Sequence, residues 1–512
     1  MQDNKTKKGG FSSGLGFVFA AAGSAIGLGN LWGFPYKTAE NGGAAFVFIY
    51  IACVLFIGSI TMICEIYLGR RAQANPITAF KKANKNLGWI GLVAIVVPTV
   101  IVCYYSVLGG YTMNFAAKSL FGNAGKLASF AGSKWQVALF TALFMLFALV
   151  VVMAGIKGGI ERASKVLMPM LFILMLAVVV FVLCLGEGVA EGLAFYLIPD
   201  FSEVTFGSVL AAMGQAFYSL SLGMGTMIVY GSYTGKEINI VKSTAMVCVF
   251  DTLIALLAGL AIFPAVFHFA AVEGVNINDM QLSGIMLMFE TLPKVFESIG
   301  FFGNVIEFFF FAMVVIAAVT SVISIMEVAS QFVIQKFKVS RKIATACIAI
   351  LTFAVSVPVG FSLGYALNGK EKMLIFGMDY LTFLDVVTNT VLMPVCAFLS
   401  CLTVGWFIGS KRAMEELKTD GNRFGKLEST VCIMIRYVVP LLIAAIEVFG
   451  LIDLVFPQGA FSANGLGVAL VAYLLFGLLV GAYFLLLKNR ETGTNADELP
   501  LEKSSNHLTD TQ

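Results

Sequence analysis

Residues 23–30 read Gly23-Ser24-Ala25-Ile26-Gly27-Leu28-Gly29-Asn30, and residues 219–226 read Ser219-Leu220-Ser221-Leu222-Gly223-Met224-Gly225-Thr226. Each stretch lies near the middle of a long apolar run, and each carries Gly-X-Gly followed by a polar residue. Close helix packing through small residues accounts for many such glycines in membranes. The placement argues for more. The two stretches open the first and second halves of a ten-helix set, and interrupted helices at matching places in two halves mark a transporter's binding site. Inside a bilayer, unwound backbone is tolerated only where it is buried in protein or lines a cavity. Its exposed carbonyls suit a sodium ion or an ammonium, and its N–H groups at a half-helix N-terminus suit a carboxylate. A zwitterionic amino acid fits such a break.

Outward from these stretches the chain reads as an all-α membrane protein. Hydrophobic residues make up 59% of its 512 positions and charged residues 12%, a balance that no water-soluble domain of this size tolerates. Twelve apolar runs can each cross the hydrocarbon core: 12–37, 42–69, 89–117, 136–154, 164–184, 206–233, 239–269, 303–335, 341–362, 380–408, 430–455 and 464–487. The expected organisation is a basic arm (1–11), a single transmembrane domain (12–487) and a polar tail (488–512). Within the domain, 12–184 and 206–408 form two inverted five-helix repeats, and 430–487 adds helices 11 and 12. The loop at 270–302 is long enough to hold short helices over the outer face. Lys and Arg concentrate on one side, at Lys5, Lys7, Lys8, Arg70, Arg71, Lys81, Lys82, Lys85, Lys336, Lys338, Arg341, Lys342, Lys411, Arg412, Lys488 and Arg490. By the positive-inside rule both termini face the cytoplasm, in the inner (plasma) membrane of a bacterial cell.

Several classes are excluded. No nucleophile–base pair, Walker loop or metal cluster is present, so the chain is not read as an enzyme. No basic cluster with interleaved aromatics points to nucleic acid. The nine cysteines sit in or at the edges of apolar runs without a CxxC pair, which reads as packing. No catalytic residue and no organic cofactor is expected. His268 and His507 carry no evident chemistry.

The stretches Gly23–Pro35, Glu40-Asn41-Gly42-Gly43, Gln215–Tyr233 and Ala317–Ser321, in this order, resemble the neurotransmitter:sodium symporters, from about residue 8 to 455. The resemblance implies the LeuT fold: twelve transmembrane helices, a 5+5 inverted repeat, and broken helices 1 and 6. It implies sodium-coupled secondary active import of an amino acid by alternating access. The cargo is two sodium ions and the amino acid, the surroundings are the lipid bilayer, and a homodimer is compatible with the class. Carried over by position, the first sodium would be held by the Ala25 carbonyl, Asn30, Ser219 and Asp251. The second would be held by carbonyls of Gly23, Ile26 and Ala317 and the hydroxyls of Thr320 and Ser321. Both sets are oxygen-only, as a hard cation requires. Taken alone, Thr320 and Ser321 read equally as hydroxyls bonded back to their own helix.

The same carry-over sets the substrate carboxylate against the N–H groups of Leu28 and Gly29 and the Tyr105 hydroxyl. The ammonium meets carbonyls of Ala25, Tyr218 and Ser219 and the Ser221 region. Ile101, Tyr218, Met224, Ser321 and Ile325 surround the side chain. Monoamine carriers of the family have an Asp where this chain has Gly27, so Gly27 implies a substrate with its own carboxylate. The Gly-Met-Gly at 223–225 resembles bacterial members that accept bulky hydrophobic or aromatic amino acids, and an unbranched Met yields volume readily. A proton-coupled permease and a non-transporting sensor of the same fold are the alternatives.

Three departures stand out. Asp251 occupies a position where chloride-independent members place a carboxylate, which implies uptake without chloride. Gly33 precedes Phe34-Pro35 where relatives carry the arginine of the outer ionic gate, while its acidic partner survives as Asp385. Lys37 either substitutes for that arginine or is solvated, and outer closure is expected to rest on Tyr105 and Tyr218. At the inner gate Lys8 matches the usual basic residue, its acidic partner aligns with Gln335, and Tyr233 and Ser13 are the hydrogen-bonding candidates. Gly159 and Pro169 describe either a fifth helix that unwinds or an ordinary helix start. Glu65 and Glu327 read as isolated carboxylates close to the broken helices, with Glu327 and Gln215 supporting the scaffold.

Overall fold

The computed structural model describes residues 10–121, 126–277, 280, 284–418, 420–421, 425, 427–457 and 460–494. Lys8 and His507 lie outside the described residues. The first span is two helices, Gly14–Ala25 and Gly29–Glu40, bent by 49° at the break. Among the described residues, ten further helices are long and apolar enough to cross a membrane. They are Ala44–Ala72 (span 2), Lys85–Ser119 (span 3), Lys134–Met153 (span 4), Ile156–Leu183 (span 5), Ile240–Glu273 (span 7), Phe302–Phe337 (span 8), Arg341–Leu367 (span 9), Tyr380–Lys418 (span 10), Leu427–Val455 (span 11) and Ala463–Leu485 (span 12). The sixth span consists of Phe206–Ser219 and Thr226–Ser232. Neither piece alone is long enough to cross.

Several helices outrun the apolar runs that reveal them. Span 9 continues to Leu367, and span 10 continues through the amphipathic stretch Ser410–Lys418. Hydropathy marks only the part of a helix that sits in hydrocarbon, whereas backbone bonding continues until a cap stops it. Local capping defines the turns. Span 2 ends at Gln73, in left-handed conformation at φ 50°, and Asn75 then caps the short helix Pro76–Ala83 through Thr78 N–H at 3.1 Å. Span 8 ends at left-handed Lys338, and Ser340 caps span 9.

Between spans 7 and 8 the chain carries the short helix Leu292–Ser298, preceded by a π-helical turn, Leu287–Thr291. The ring of Phe289 in that turn packs on Phe115 at 5.1 Å and Phe311 at 6.0 Å, tying the loop to spans 3 and 8. A two-residue hairpin pairs Leu374–Ile375 with Met378–Asp379 around Phe376 and Gly377, both at positive φ as a tight primed turn requires. Span 5 opens with a π-helical turn, Ile156–Glu161, and is continuous through Pro169. Gly159 lies inside that turn, so the helix begins ahead of it.

Where spans 2 and 6 cross, backbone touches backbone. A Cβ on Gly69 would stand 1.8 Å from the Ile228 carbonyl oxygen, and one on Gly231 would stand 2.3 Å from that of Ile66. This contact sets Glu65 beside the sixth-span break. Gly69→Ala is therefore expected to cost about 1–3 kcal/mol by overpacking, read as a lower melting temperature of the purified protein. Gly477→Ala, whose Cβ would meet nothing within 4 Å, should leave it unchanged.

Candidate functional site

The two interruptions meet at the centre of the molecule. Ile26 is extended (φ −73°, ψ 105°) and ends the first half-helix. In the sixth span Ser221, Gly223 and Gly225 all have positive φ, at 53°, 76° and 67°. A Cβ at Gly223 would come within 2.1 Å of the Met393 carbonyl oxygen, and one at Gly225 within 2.4 Å of that of Ala94. Glycine is needed at both for space as well as for φ. Ser221 carries its strained backbone as a non-glycine, and its hydroxyl donates to the Ser24 carbonyl at 2.8 Å, joining one break to the other.

The freed backbone groups find side-chain partners, mostly on other spans. Leu28 N–H donates to the Tyr105 hydroxyl at 3.0 Å, and Gly27 N–H to Asn30 Oδ1 at 3.1 Å. Gly223 N–H donates to Glu65 Oε1 at 2.9 Å, and Gln215 Nε2 to the Gly29 carbonyl at 2.8 Å. A small cavity of about 20 Å³ lies between the breaks, lined by Ser24, Ala25, Gly27, Gly29, Ile101, Tyr105, Tyr218, Ser221, Met224, Ser321 and Ile325. Of the expected substrate residues, Leu28 and Ser219 are not in this lining. Leu28 is engaged through its backbone, and Ser219 turns toward Asp251. No ionised side chain lines the cavity. A Cβ at Gly27 would meet Ser321 Oγ at 2.5 Å and the Tyr105 hydroxyl at 2.7 Å, so the space depends on that glycine.

A buried carboxylate, Asp251, lies outside the cavity lining and is tied to the two breaks through Asn30 and Ser219. Asp251 accepts from Asn30 Nδ2 at 2.8 Å, Ser219 Oγ at 2.8 Å and the Tyr50 hydroxyl at 3.2 Å. Asn30, Ser219 and Asp251 thus come together, while Ala25 is joined to them by no hydrogen bond among the described residues. Sequence reasoning missed Tyr50. It lies in a span without a motif, and only packing brings it to Asp251. Ser24 was missed as well, although it sits inside the quoted stretch.

A second cluster joins the first span to the eighth. Ser321 Oγ lies 3.4, 3.2 and 3.2 Å from the carbonyl oxygens of Gly23, Ser24 and Ile26. Thr320 Oγ1 bonds back to Ile316 at 3.0 Å and Ala317 at 3.1 Å. Of the two readings of these hydroxyls, Thr320 follows the one within its own helix and Ser321 crosses to the break. A Cβ at Gly23 would approach Thr320 Cβ and Met168 Sδ, both at 3.2 Å, so span 5 closes this cluster from the side.

Neither expected ionic gate pair is present among the described residues, which do not include Lys8. Asp385 accepts from Asn389 on its own helix at 2.5 Å, and Asn389 also donates to the Tyr104 hydroxyl at 3.3 Å. Lys37 forms no ion pair among the described residues. At the other end Gln335 accepts from Asn75 N–H at 3.0 Å and Nδ2 at 2.9 Å, closing a loop rather than a gate. Ser13 caps the first helix through Gly16 N–H at 3.0 Å. Ser12 donates through backbone and hydroxyl to Glu161, which pairs with Lys165 at 2.6 Å. The reading of Glu327 as isolated is corrected. Arg341 grips it with two bonds, at 2.6 and 3.0 Å, and the Tyr233 hydroxyl donates to it at 2.8 Å. Glu65 keeps one buried oxygen without a partner among the described residues.

A profile of the sodium:neurotransmitter symporter family matches residues 8–126 and 124–488. The chain belongs to that family. This symporter is 34% identical over 444 residues to an uncharacterized sodium-dependent transporter, YhdH, of Bacillus subtilis, covering 85% of the chain and 95% of the relative. It is 30% identical over 424 residues to another, MJ1319, of Methanocaldococcus jannaschii, covering 80% and 83%. Its fold is similar to the crystal structure of MhsT in complex with L-phenylalanine, at a TM-score of 0.77 and 32% identity over 86% of this chain and 100% of that one. The symporter is thus a sodium-dependent, multi-pass membrane transporter with the LeuT fold, and not an enzyme. In the Tyr233–Glu327–Arg341 cluster, Glu327→Ala leaves Arg341 without its counter-charge and should cost roughly 3 kcal/mol, read as earlier thermal unfolding, with Glu327→Gln losing less.

Proposed function

We propose that this symporter imports a large hydrophobic or aromatic amino acid together with sodium, without a chloride requirement. The observation that carries the reading is the cavity itself. Its walls are apolar at Ile101, Met224 and Ile325, it has no ionised lining residue, and unwound backbone lies at one edge. A carboxylate inserted between Leu28 N–H and the Tyr105 hydroxyl would accept from both, in place of the bond that Leu28 N–H now donates to the Tyr105 oxygen. An ammonium would find carbonyls at Ala25, Tyr218 and Ser219. The space of about 20 Å³ holds little more than a water molecule, so entry requires Tyr105 to leave Leu28 and the walls to part. That requirement is the local form of alternating access. The likeness to MhsT, solved with L-phenylalanine, supports the substrate class.

Sodium enters the scheme as cargo. Asp251 is a buried carboxylate met only by neutral donors, Asn30, Ser219 and Tyr50. A buried anion of this kind is costly until a cation joins it. Together with the Ala25 carbonyl these oxygens form the first proposed site. Gly23, Ile26, Ala317, Thr320 and Ser321 form the second, where the crossing hydroxyl of Ser321 already gathers the carbonyls. The fixed charge of Asp251 takes the place of a bound chloride. Both termini are proposed to face the cytoplasm of a bacterial cell, from the Lys and Arg asymmetry.

Proteoliposomes under an inward sodium gradient are expected to accumulate labelled phenylalanine or tryptophan, with no accumulation when potassium replaces sodium. Exchanging chloride for gluconate should change the rate by less than about twofold; a collapse would remove Asp251 from its proposed role. Gly27→Ala should abolish sodium-dependent binding in a thermal-shift assay, since its methyl fills the space at Tyr105 and Ser321, while the protein still purifies as a monodisperse peak. Tyr105→Phe removes one of the three proposed carboxylate donors and should weaken binding by about 1–3 kcal/mol. Sodium-driven exchange of an unrelated solute class would overturn the substrate reading and leave the sodium reading intact.

A further inference from the structure

Arg436 is a cation outside the transport path that forms no ion pair among the described residues. It sits in a π-helical turn of span 11, Met434–Val438, packed against a second such turn in span 10, Thr403–Gly409. The packing is tight, because a Cβ at Gly405 would stand 3.0 Å from Arg436 Cα and 3.0 Å from the Ile435 carbonyl oxygen. A π turn loosens the regular carbonyl ladder, and here the Trp406 indole N–H takes the Arg436 carbonyl at 2.8 Å. That bond fixes the indole beside the guanidinium. The Arg436 Cζ lies 4.9 Å from the Trp406 ring centroid and 5.3 Å from that of Tyr437, and the two rings meet edge to face at 5.6 Å.

This group faces outward from the protein. Trp406 is 53% exposed, Tyr437 50% and the adjoining Phe407 51%, and Arg436 is exposed as well. Arg436 is nineteen residues before Val455 at the far end of its helix, a rise of about 29 Å. That is one hydrocarbon thickness, about 30 Å, so the guanidinium stands at a membrane–water boundary with its rings at headgroup level. Trp and Tyr favour this depth. The guanidinium has five donors and makes no ion pair with any described carboxylate. Two rings attract it but leave its charge uncompensated. Its complement is an anion that arrives from the bilayer.

We propose that Arg436, Trp406 and Tyr437 form a binding site for the phosphate of an anionic glycerophospholipid. The planar guanidinium suits two-point bonding to phosphate oxygens. The rings hold it at that level, and exposed Phe407 and Ile433 lie alongside the acyl chains.

The test is native mass spectrometry of the delipidated full chain with phosphatidylglycerol and phosphatidylcholine of identical acyl chains at equal amounts. A phosphatidylglycerol adduct preferred by about fivefold is expected, the effect of one basic residue at an anionic surface. Arg436→Gln should bring the ratio to near parity, whereas Arg412→Gln, an exposed arginine elsewhere, should not. Should the glutamine variant fail to fold, Arg436→Lys serves. It keeps the charge but loses the fork and the ring stacking, and it must lower the preference. Millimolar inorganic phosphate should leave the adduct in place, because the acyl chains contribute to its retention. Parity in the unmodified chain, an unchanged ratio in both Arg436 variants, or displacement by free phosphate would each overturn the assignment.

Discussion

Every backbone N–H and C=O released where spans 1 and 6 unwind must be met inside a medium that offers no water. An unmet group there costs several kcal/mol. The structure meets them with side chains from elsewhere: Tyr105 on span 3 for Leu28, Glu65 on span 2 for Gly223, Gln215 on span 6 for Gly29, and Ser321 on span 8 for the carbonyls before the first break. The breaks can exist only where these helices converge. That convergence is also what encloses a cavity, so the backbone requirement and the position of the site are one constraint.

The arrangement leaves charge in few places. Asp251, outside the cavity lining, is met by three neutral donors, whereas Glu327 is neutralised by Arg341 and bonded by Tyr233. One carboxylate is available to a cation and the other is not. Asp385 is held by Asn389 on its own helix, and Lys37 forms no ion pair with it among the described residues.

Much of the site was legible in the chain because its chemistry is local. Gly-X-Gly-polar in a long apolar run is visible without any partner, and a lone Asp251 in a seventh apolar run draws attention because hydrocarbon penalises it. Tyr50 was not legible, since a tyrosine in an apolar helix has no signature until its hydroxyl reaches Asp251. Glu327 read as isolated because Arg341, fourteen residues on, lies across the turn formed by Lys338 and Ser340. The pairing of the π turns around Trp406 and Arg436 was equally hidden, because neither turn has a sequence pattern of its own.

Hydropathy and glycine placement by themselves determined that the chain crosses a membrane many times and that two of the crossings are interrupted. These follow from the energy of single residues and single backbone units in hydrocarbon, which require no knowledge of neighbours. Which side chain answers each released backbone group, and which carboxylate keeps its charge free, was decided only by the tertiary structure. Those outcomes depend on distances between helices that are far apart in the chain, and at such distances a shift of an ångström makes or removes a hydrogen bond.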